Sequence, residues 1–170
     1  MAETKVCLCG GMSGPAPAEF FDADIEAFVA SLEPNTVILY GGVTTGLVGR
    51  VASVATRRNL PLEGALIPEE ENFRHPVLRR QHHFLHYDER QSFMFNAVST
   101  IYFLPGGLGT FHEVFDALLR NKGNPHPKRL ILINWQRFWD PVKTLLQQAK
   151  DDGFLMQQDI SSLETWEGST

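Results

Sequence analysis

The chain has little of several things, and each shortage narrows what it can be. Only two cysteines occur in 170 residues, which rules out a disulfide framework. Cys7 and Cys9 are two apart in an apolar stretch, so on a strand their thiols share one face. They read as a buried, reduced pair without the partner ligands that a metal or redox role requires. Positive charge is also scarce: Lys and Arg number 15 against 20 Asp and Glu, giving a net charge of −5. That balance disfavours a nucleic-acid polymer or an anionic membrane surface as partner. No apolar run approaches the roughly 20 residues needed to span a bilayer. The segment from Met1 to Cys7 is too short in apolar character to read as a signal peptide, so the expectation is a cytoplasmic protein. Two phosphate fingerprints are missing as well. There is no G-x-G-x-x-G in the first strand-to-helix turn, so NAD is not expected, and no glycine precedes Lys-Ser or Lys-Thr as a Walker loop requires.

What is present is an alternation of short apolar strands and helical segments. Strands are expected at residues 5–9, 35–40, 62–67, 99–104 and 129–134, where β-branched and aromatic residues cluster. Helical spacing of apolar residues covers 17–32, 47–59, 86–98, the stretch after the glycine loop to about 121, and 141–150. Residues 69–80 are polar, carry Pro76 and lack clean periodicity, so they read as a loop with a short helix, and the tail containing Trp166 is weakly patterned. No repeat, linker or low-complexity tract divides the chain. The expectation is one α/β domain over residues 1–170, a doubly wound parallel sheet flanked by helices.

Glycine follows three of the strands, at residues 10–14, 41–46 and 105–110. In an open parallel sheet the loops at the carboxyl ends of strands meet at one crevice, so the three should line a common ligand site. The most informative is Leu104-Pro105-Gly106-Gly107-Leu108-Gly109-Thr110-Phe111-His112-Glu113, lying between an apolar strand and a helix. Glycines at such a turn let a ligand approach the backbone, and the first N–H groups of the helix then cradle a phosphate. A carboxylate expected within the first helical turn, Glu113, would repel that phosphate and so should face another part of the ligand. Arg90 lies on a helix that turns apolar from Phe93 onward. A partly buried guanidinium there needs an anionic partner, either a substrate phosphate or a carboxylate such as Glu113. Asp116 is a second carboxylate on a face similar to that of Glu113. His82, His83 and His86 sit at near-helical spacing, but no carboxylate or thiol completes a tight metal motif and Asp88 is only a loose candidate. Trp135, Phe138 and Trp139 read as core or interface.

Taken together, Tyr40-Gly41-Gly42-x-x-x-Gly46-Leu47-x-Gly49, Glu89-Arg90 with Met94, and Pro105-Gly106-Gly107-x-Gly109-Thr110-x-x-Glu113 resemble the LOG ("lonely guy") family of nucleoside 5′-monophosphate phosphoribohydrolases. Members of this family are often labelled possible lysine decarboxylases. The resemblance runs over about residues 5–155, with Gly153-Phe154 matching a closing Gly-Phe. It implies a Rossmann-like fold, a homodimer, and hydrolysis of the bond between base and ribose. By position, Arg90 and Glu113 match the catalytic pair. Gly106, Gly107, Gly109 and Thr110 match the phosphate loop, and Ser13, Gly14, Gly42 and Gly46 match the other loops, with Asp116 a further substrate-binding candidate. Gln91 stands where the family carries a lysine, which is expected to remove one positive charge from the pocket unless Arg50, Arg79 or Lys128 compensates. Val43 replaces a glycine.

These residue types suit the implied chemistry. Breaking an N-glycosidic bond builds positive charge on the ribose, and a nearby carboxylate stabilises it, binds hydroxyls or orients water. Arg90 either holds Glu113 ionised or supports the departing base. No metal or cofactor is required. The expected substrate is a nucleoside 5′-monophosphate, purine type favoured, such as AMP or an N6-substituted relative in cytokinin formation. The alternative is a non-catalytic carrier of a nucleotide or phosphorylated cofactor, like the molybdenum-cofactor carriers. Aromatic side chains at Phe93, Phe95 and Phe115 are expected to supply the dimer contact. Lysine decarboxylation is set aside, because no lysine has a recognisable pyridoxal-phosphate setting.

Overall fold

The computed structural model describes residues 3–12 and 21–168. Seven strands form one sheet: β1 (Thr4–Cys9), β2 (Thr36–Tyr40), β3 (Leu62–Leu66), β4 (Arg80–His83), β5 (Thr100–Phe103), β6 (Arg129–Ile133) and β7 (Leu163–Trp166). The helices are α1 (Asp22–Ser31), α2 (Gly46–Arg57), α3 (Tyr87–Asn96), α4 (Leu108–Asn121), α5 (Asp140–Asp151) and the short α6 (Gln157–Ile160). Every strand pairing is parallel, in the order β4-β3-β2-β1-β5-β6-β7. The chain therefore builds outward from β1 to β4, crosses back, and builds outward again from β5 to β7. The reversal between β1 and β5 is where such a sheet opens a ligand crevice.

Helices cover both faces, so the inner strands are apolar at nearly every position rather than at alternate ones. All five residues of β2 are buried. Val6, Leu8, Ile38 and Tyr40 face α1 and α2, packing with Phe28, Val51 and Trp135. Cys7, Cys9, Leu39, Ile101 and Phe103 face the other way, into a core shared with Met94, Phe95, Val114 and Trp139. The two thiols are buried and free, 3.8 Å apart on one face, as a reduced pair should be. No described helix is long and apolar enough to cross a membrane.

Two strands went unpredicted. β4 reads Arg-Gln-His-His and β7 Leu-Glu-Thr-Trp, and neither shows the apolar run of an interior strand because both lie at the sheet's edges. His82 and His83 consequently sit in a strand rather than on a helix with His86. No group of three potential metal ligands occurs among the described residues. Residues Pro68–Phe73 form a short 3-10 helix within the expected loop. Of the three aromatics expected at a dimer surface, Phe95 is core at 1% exposure, Phe93 packs against that core, and Phe115 is exposed. Trp135 and Trp139 are buried, as read from sequence.

Candidate functional site

A cleft of about 770 Å³ opens at the switch point. Gly10–Met12 after β1, Val43, Thr45 and Gly46 after β2, and Gly107 to Thr110 after β5 all line it, so each of the three glycine loops contributes to one crevice. Ser13 and Gly14, expected in the first loop, lie outside the described residues. The loops lock together through the backbone. Gly11 N–H donates to the Pro105 carbonyl at 3.1 Å, and Leu47 N–H donates to the Gly11 carbonyl at 2.8 Å. Two glycines are required by this closeness. A Cβ on Gly46, whose φ is +66°, would stand 2.4 Å from the Gly11 carbonyl oxygen, and one on Gly106 would stand 2.1 Å from Thr110 Oγ1. Gly42, at φ +77°, abuts Gly64 and Leu66; neither it nor Gly106 lines the cleft. Gly107 and Gly109, by contrast, have open space where a Cβ would be.

Helix α4 begins at Leu108 with Gly107 as its N-cap, and no side chain caps it. The earliest helical backbone bond in this turn runs from Phe111 N–H to the Gly107 carbonyl. The N–H groups before it are left at the mouth of the cleft, at the positive end of a 14-residue helix. That is an anion cradle built from backbone.

Glu113 lies in the second turn of α4 rather than the first, and it lines the same cleft. Its Oε1 accepts a hydrogen bond from Tyr87 Oη at 3.1 Å. Burial pushes its carboxyl up to about 7, against the pull of Tyr87, the Arg90 charge and Cys9. At neutral pH it is poised between ionised and protonated. Burial and the adjacent Glu113 hold the Tyr87 phenol well above its ordinary range, keeping it a donor.

Arg90 is buried at 4% exposure, yet its direct ionic partner is neither Glu113 nor an empty anion site. Nη1 bonds to Glu70 Oε2 at 2.5 Å, and the guanidinium lies 4.9 Å from the centre of the Tyr87 ring. A chain therefore runs Glu70–Arg90–Tyr87–Glu113. Glu70 and Glu69 come from the 3-10 helix that follows β3 and, with Phe73, form a fourth wall of the cleft. Sequence reasoning missed this wall. The one available signal was three consecutive glutamates directly after a strand's carboxyl end, where ligand loops gather.

Gln91 corrects an expectation. Its amide donates to Asp116 Oδ2 at 2.5 Å, and neither residue lines the cleft. Gln91 thus makes an α3–α4 contact away from the cleft lining. Asp116, expected to bind substrate, instead accepts from Gln91 and from Arg120 at 2.7 Å. None of the three suggested compensating cations faces the cleft. Arg50 pairs with Asp22, Arg79 with Glu3 and Glu63, and Lys128 donates to the Val98 carbonyl. His112 is outside the cleft lining.

The model of the family described as "Possible lysine decarboxylase" matches residues 47–168. A cytokinin riboside 5′-monophosphate phosphoribohydrolase of Arabidopsis thaliana is 26% identical over 91% of this chain and 76% of its own length. Its counterpart in Oryza sativa subsp. japonica is also 26% identical, over 90% of this chain and 64% of its own length. The protein of that name from Rhodococcoides fascians is 29% identical, over 69% of this chain and 61% of its own. The chain thus spans less than two thirds of the latter two relatives. Among solved structures, the molybdenum cofactor binding protein of Rippkaea orientalis superimposes with a TM-score of 0.71 at 18% identity, covering 99% of this chain and 91% of its own. The molybdenum cofactor carrier protein of Chlamydomonas reinhardtii gives 0.67 at 14%, covering 98% and 91%. These two likenesses establish the Rossmann-like fold.

Proposed function

The chain belongs to the family described as "Possible lysine decarboxylase", and from that premise we propose that it hydrolyses the N-glycosidic bond of a nucleoside 5′-monophosphate. The observation that carries this reading is the pairing of a backbone anion cradle at α4 with a carboxyl held near 7 in the same cleft. A site that merely held a phosphate would gain nothing from a carboxylate placed beside it. The names of the phosphoribohydrolase relatives agree with it.

In this reading the 5′-phosphate sits on the N–H groups at the start of α4, fixing the ribose for attack. The ribose lies against Glu113, and the base rests among the apolar side chains of Met12, Val43, Phe73 and Leu108. The bond between C1′ and the base nitrogen breaks, and the base departs with the electron pair. Glu113 as carboxylate offsets the charge left on the ribose and takes one proton from the water whose oxygen bonds to C1′. That proton then passes to the base, and a carboxyl titrating near 7 can both accept and return it. Arg90 acts on Glu113 by its charge and through Tyr87, holding the carboxylate available rather than contacting it. The products are a free base and ribose 5-phosphate. A purine base, such as adenine or an N6-substituted form, is the favoured substrate.

The protein is further proposed to act as a homodimer. An apolar groove of about 400 Å³ between α4, α5 and residues 154–160 exposes Phe115, Leu119, Leu145 and Phe154. Such a patch on a folded chain marks a contact surface. Incubation with a panel of nucleoside 5′-monophosphates, followed by chromatography of free base, tests the central reading. Tight nucleotide binding without base release from any of them would replace the hydrolase by a carrier.

A further inference from the structure

We propose that Glu70 is a specificity-determining residue, restricting the cleft to ligands whose only anionic group is the phosphate seated on α4. The inference rests on the nucleotide reading above and adds to it which nucleotides are refused. Its basis is the fourth wall. Glu70 is 18% exposed and bonded to an Arg90 side chain that is 5% exposed, so the one guanidinium lining the cleft among the described residues is already paired with a carboxylate. Glu69 and Glu113 add two more carboxyls to the same lining. Beyond the helix terminus, therefore, the cleft offers acceptors and acidic charge, which suit hydroxyl and amino groups and repel a second anion.

The wall is built into the fold rather than draped over it. Thr44 N–H donates to the Phe73 carbonyl at 2.8 Å, His75 N–H to the Gly42 carbonyl at 2.7 Å, and Glu70 N–H to the Ile67 carbonyl at 3.0 Å. The first two bonds tie Phe73 and His75 to the loop after β2, and the third closes the 3-10 turn that carries Glu70 into the cleft lining. A ribose carrying a second phosphate would place it in this acidic half of the cleft.

The test is equilibrium binding of adenosine 5′-monophosphate and adenosine 3′,5′-bisphosphate to the full chain, by calorimetry at fixed ionic strength. The wild type should prefer the monophosphate by at least about tenfold. Glu70→Gln should narrow that preference by about tenfold, whereas Glu70→Asp, which keeps the charge, should retain it. Glu69 is exposed and Arg90 pairs with its neighbour instead, so Glu69→Gln should shift the ratio far less. Equal affinity of the wild type for both nucleotides overturns the proposal without recourse to any variant. So does an unchanged ratio in folded Glu70→Gln, or an equal shift in Glu69→Gln. Binding with the expected ratio but without base release would overturn only the hydrolase reading, and no binding of either nucleotide would overturn both.

Discussion

Replacing Glu113 by glutamine should make the protein more stable and almost inactive at once. The carboxyl is moved from an ordinary 4.5 to about 7 by burial. Between those values the folded protein keeps a proton that the unfolded chain has released, so stability falls as pH rises through the window and levels off above it. The displacement corresponds to about 3 kcal/mol at pH 8, under about 1 kcal/mol at pH 5. Glutamine has nearly the same shape, can still accept from Tyr87, and does not carry that cost. In a chain of 170 residues, where each kcal/mol is worth about 2–4 °C, Glu113→Gln should melt roughly 6–12 °C higher than wild type at pH 8. The gap should be much smaller at pH 5. Base release should fall by about a hundredfold to a thousandfold, the usual cost of removing one preorganised electrostatic group. Thermal unfolding by circular dichroism at the two pH values, alongside single-turnover base release, measures both halves. The competing view makes Glu113 a helix carboxylate that interacts favourably with the dipole, worth about 0.3–1 kcal/mol. Its place in the second turn already weakens that view. A variant that melts lower at pH 8 would refute the burial cost assigned to Glu113, and one that releases base normally would remove it from the chemistry.

Three further outcomes follow from other parts of the molecule. Glu63 is fully covered; burial opposes its ionisation, but Lys5, Arg79 and His82 override this and hold its carboxyl down at about 2. Its contribution is complete above pH 4.5 and lost as pH falls toward 2, so Glu63→Gln should cost about 1–3 kcal/mol at pH 7 and little near pH 2 in denaturant titrations. Gly46→Ala should lower stability by about 1–3 kcal/mol and weaken nucleotide binding in calorimetry, because its Cβ meets the Gly11 carbonyl and Met12 backbone at a positive φ. Leu119→Asp, on the exposed groove, should give a monomer in sedimentation velocity while leaving the melting of the monomer fold intact.

How far the chain could be read from its sequence depended on what each residue had to do locally. Strands buried on both faces announce themselves by unbroken apolar composition, and β2 is buried along its whole length. Glycines at 46 and 106 were visible because backbone crowding leaves no alternative residue. Glu113 was legible through its distance from the glycine loop. Glu70 was not, because nothing local in Pro68-Glu-Glu-Glu71 says which carboxylate a residue 20 positions later will meet. Gln91 misled for the same reason: its neighbour in sequence lines the cleft, while its own side chain faces Asp116 on another helix. A one-residue step on a helix turns the side chain by more than a quarter of a circle.

The composition that hid β4 from a sequence reading also bears on how the sheet's edge meets other chains. The sheet has β4 and β7 as its two edge strands, and an edge strand is in general a place where a neighbouring chain could add a strand. On one border stand Arg80, Gln81, His82 and His83, mostly exposed, with no apolar alternation to reward pairing. On the other, Arg129 and Glu164 clasp one another across β6 and β7 at 2.7 Å. Polar edges of this kind discourage fibril-like stacking. Making β4 resemble an ordinary strand, by putting valine at Gln81 and His83, would improve its legibility and turn a protected border into a template for aggregation.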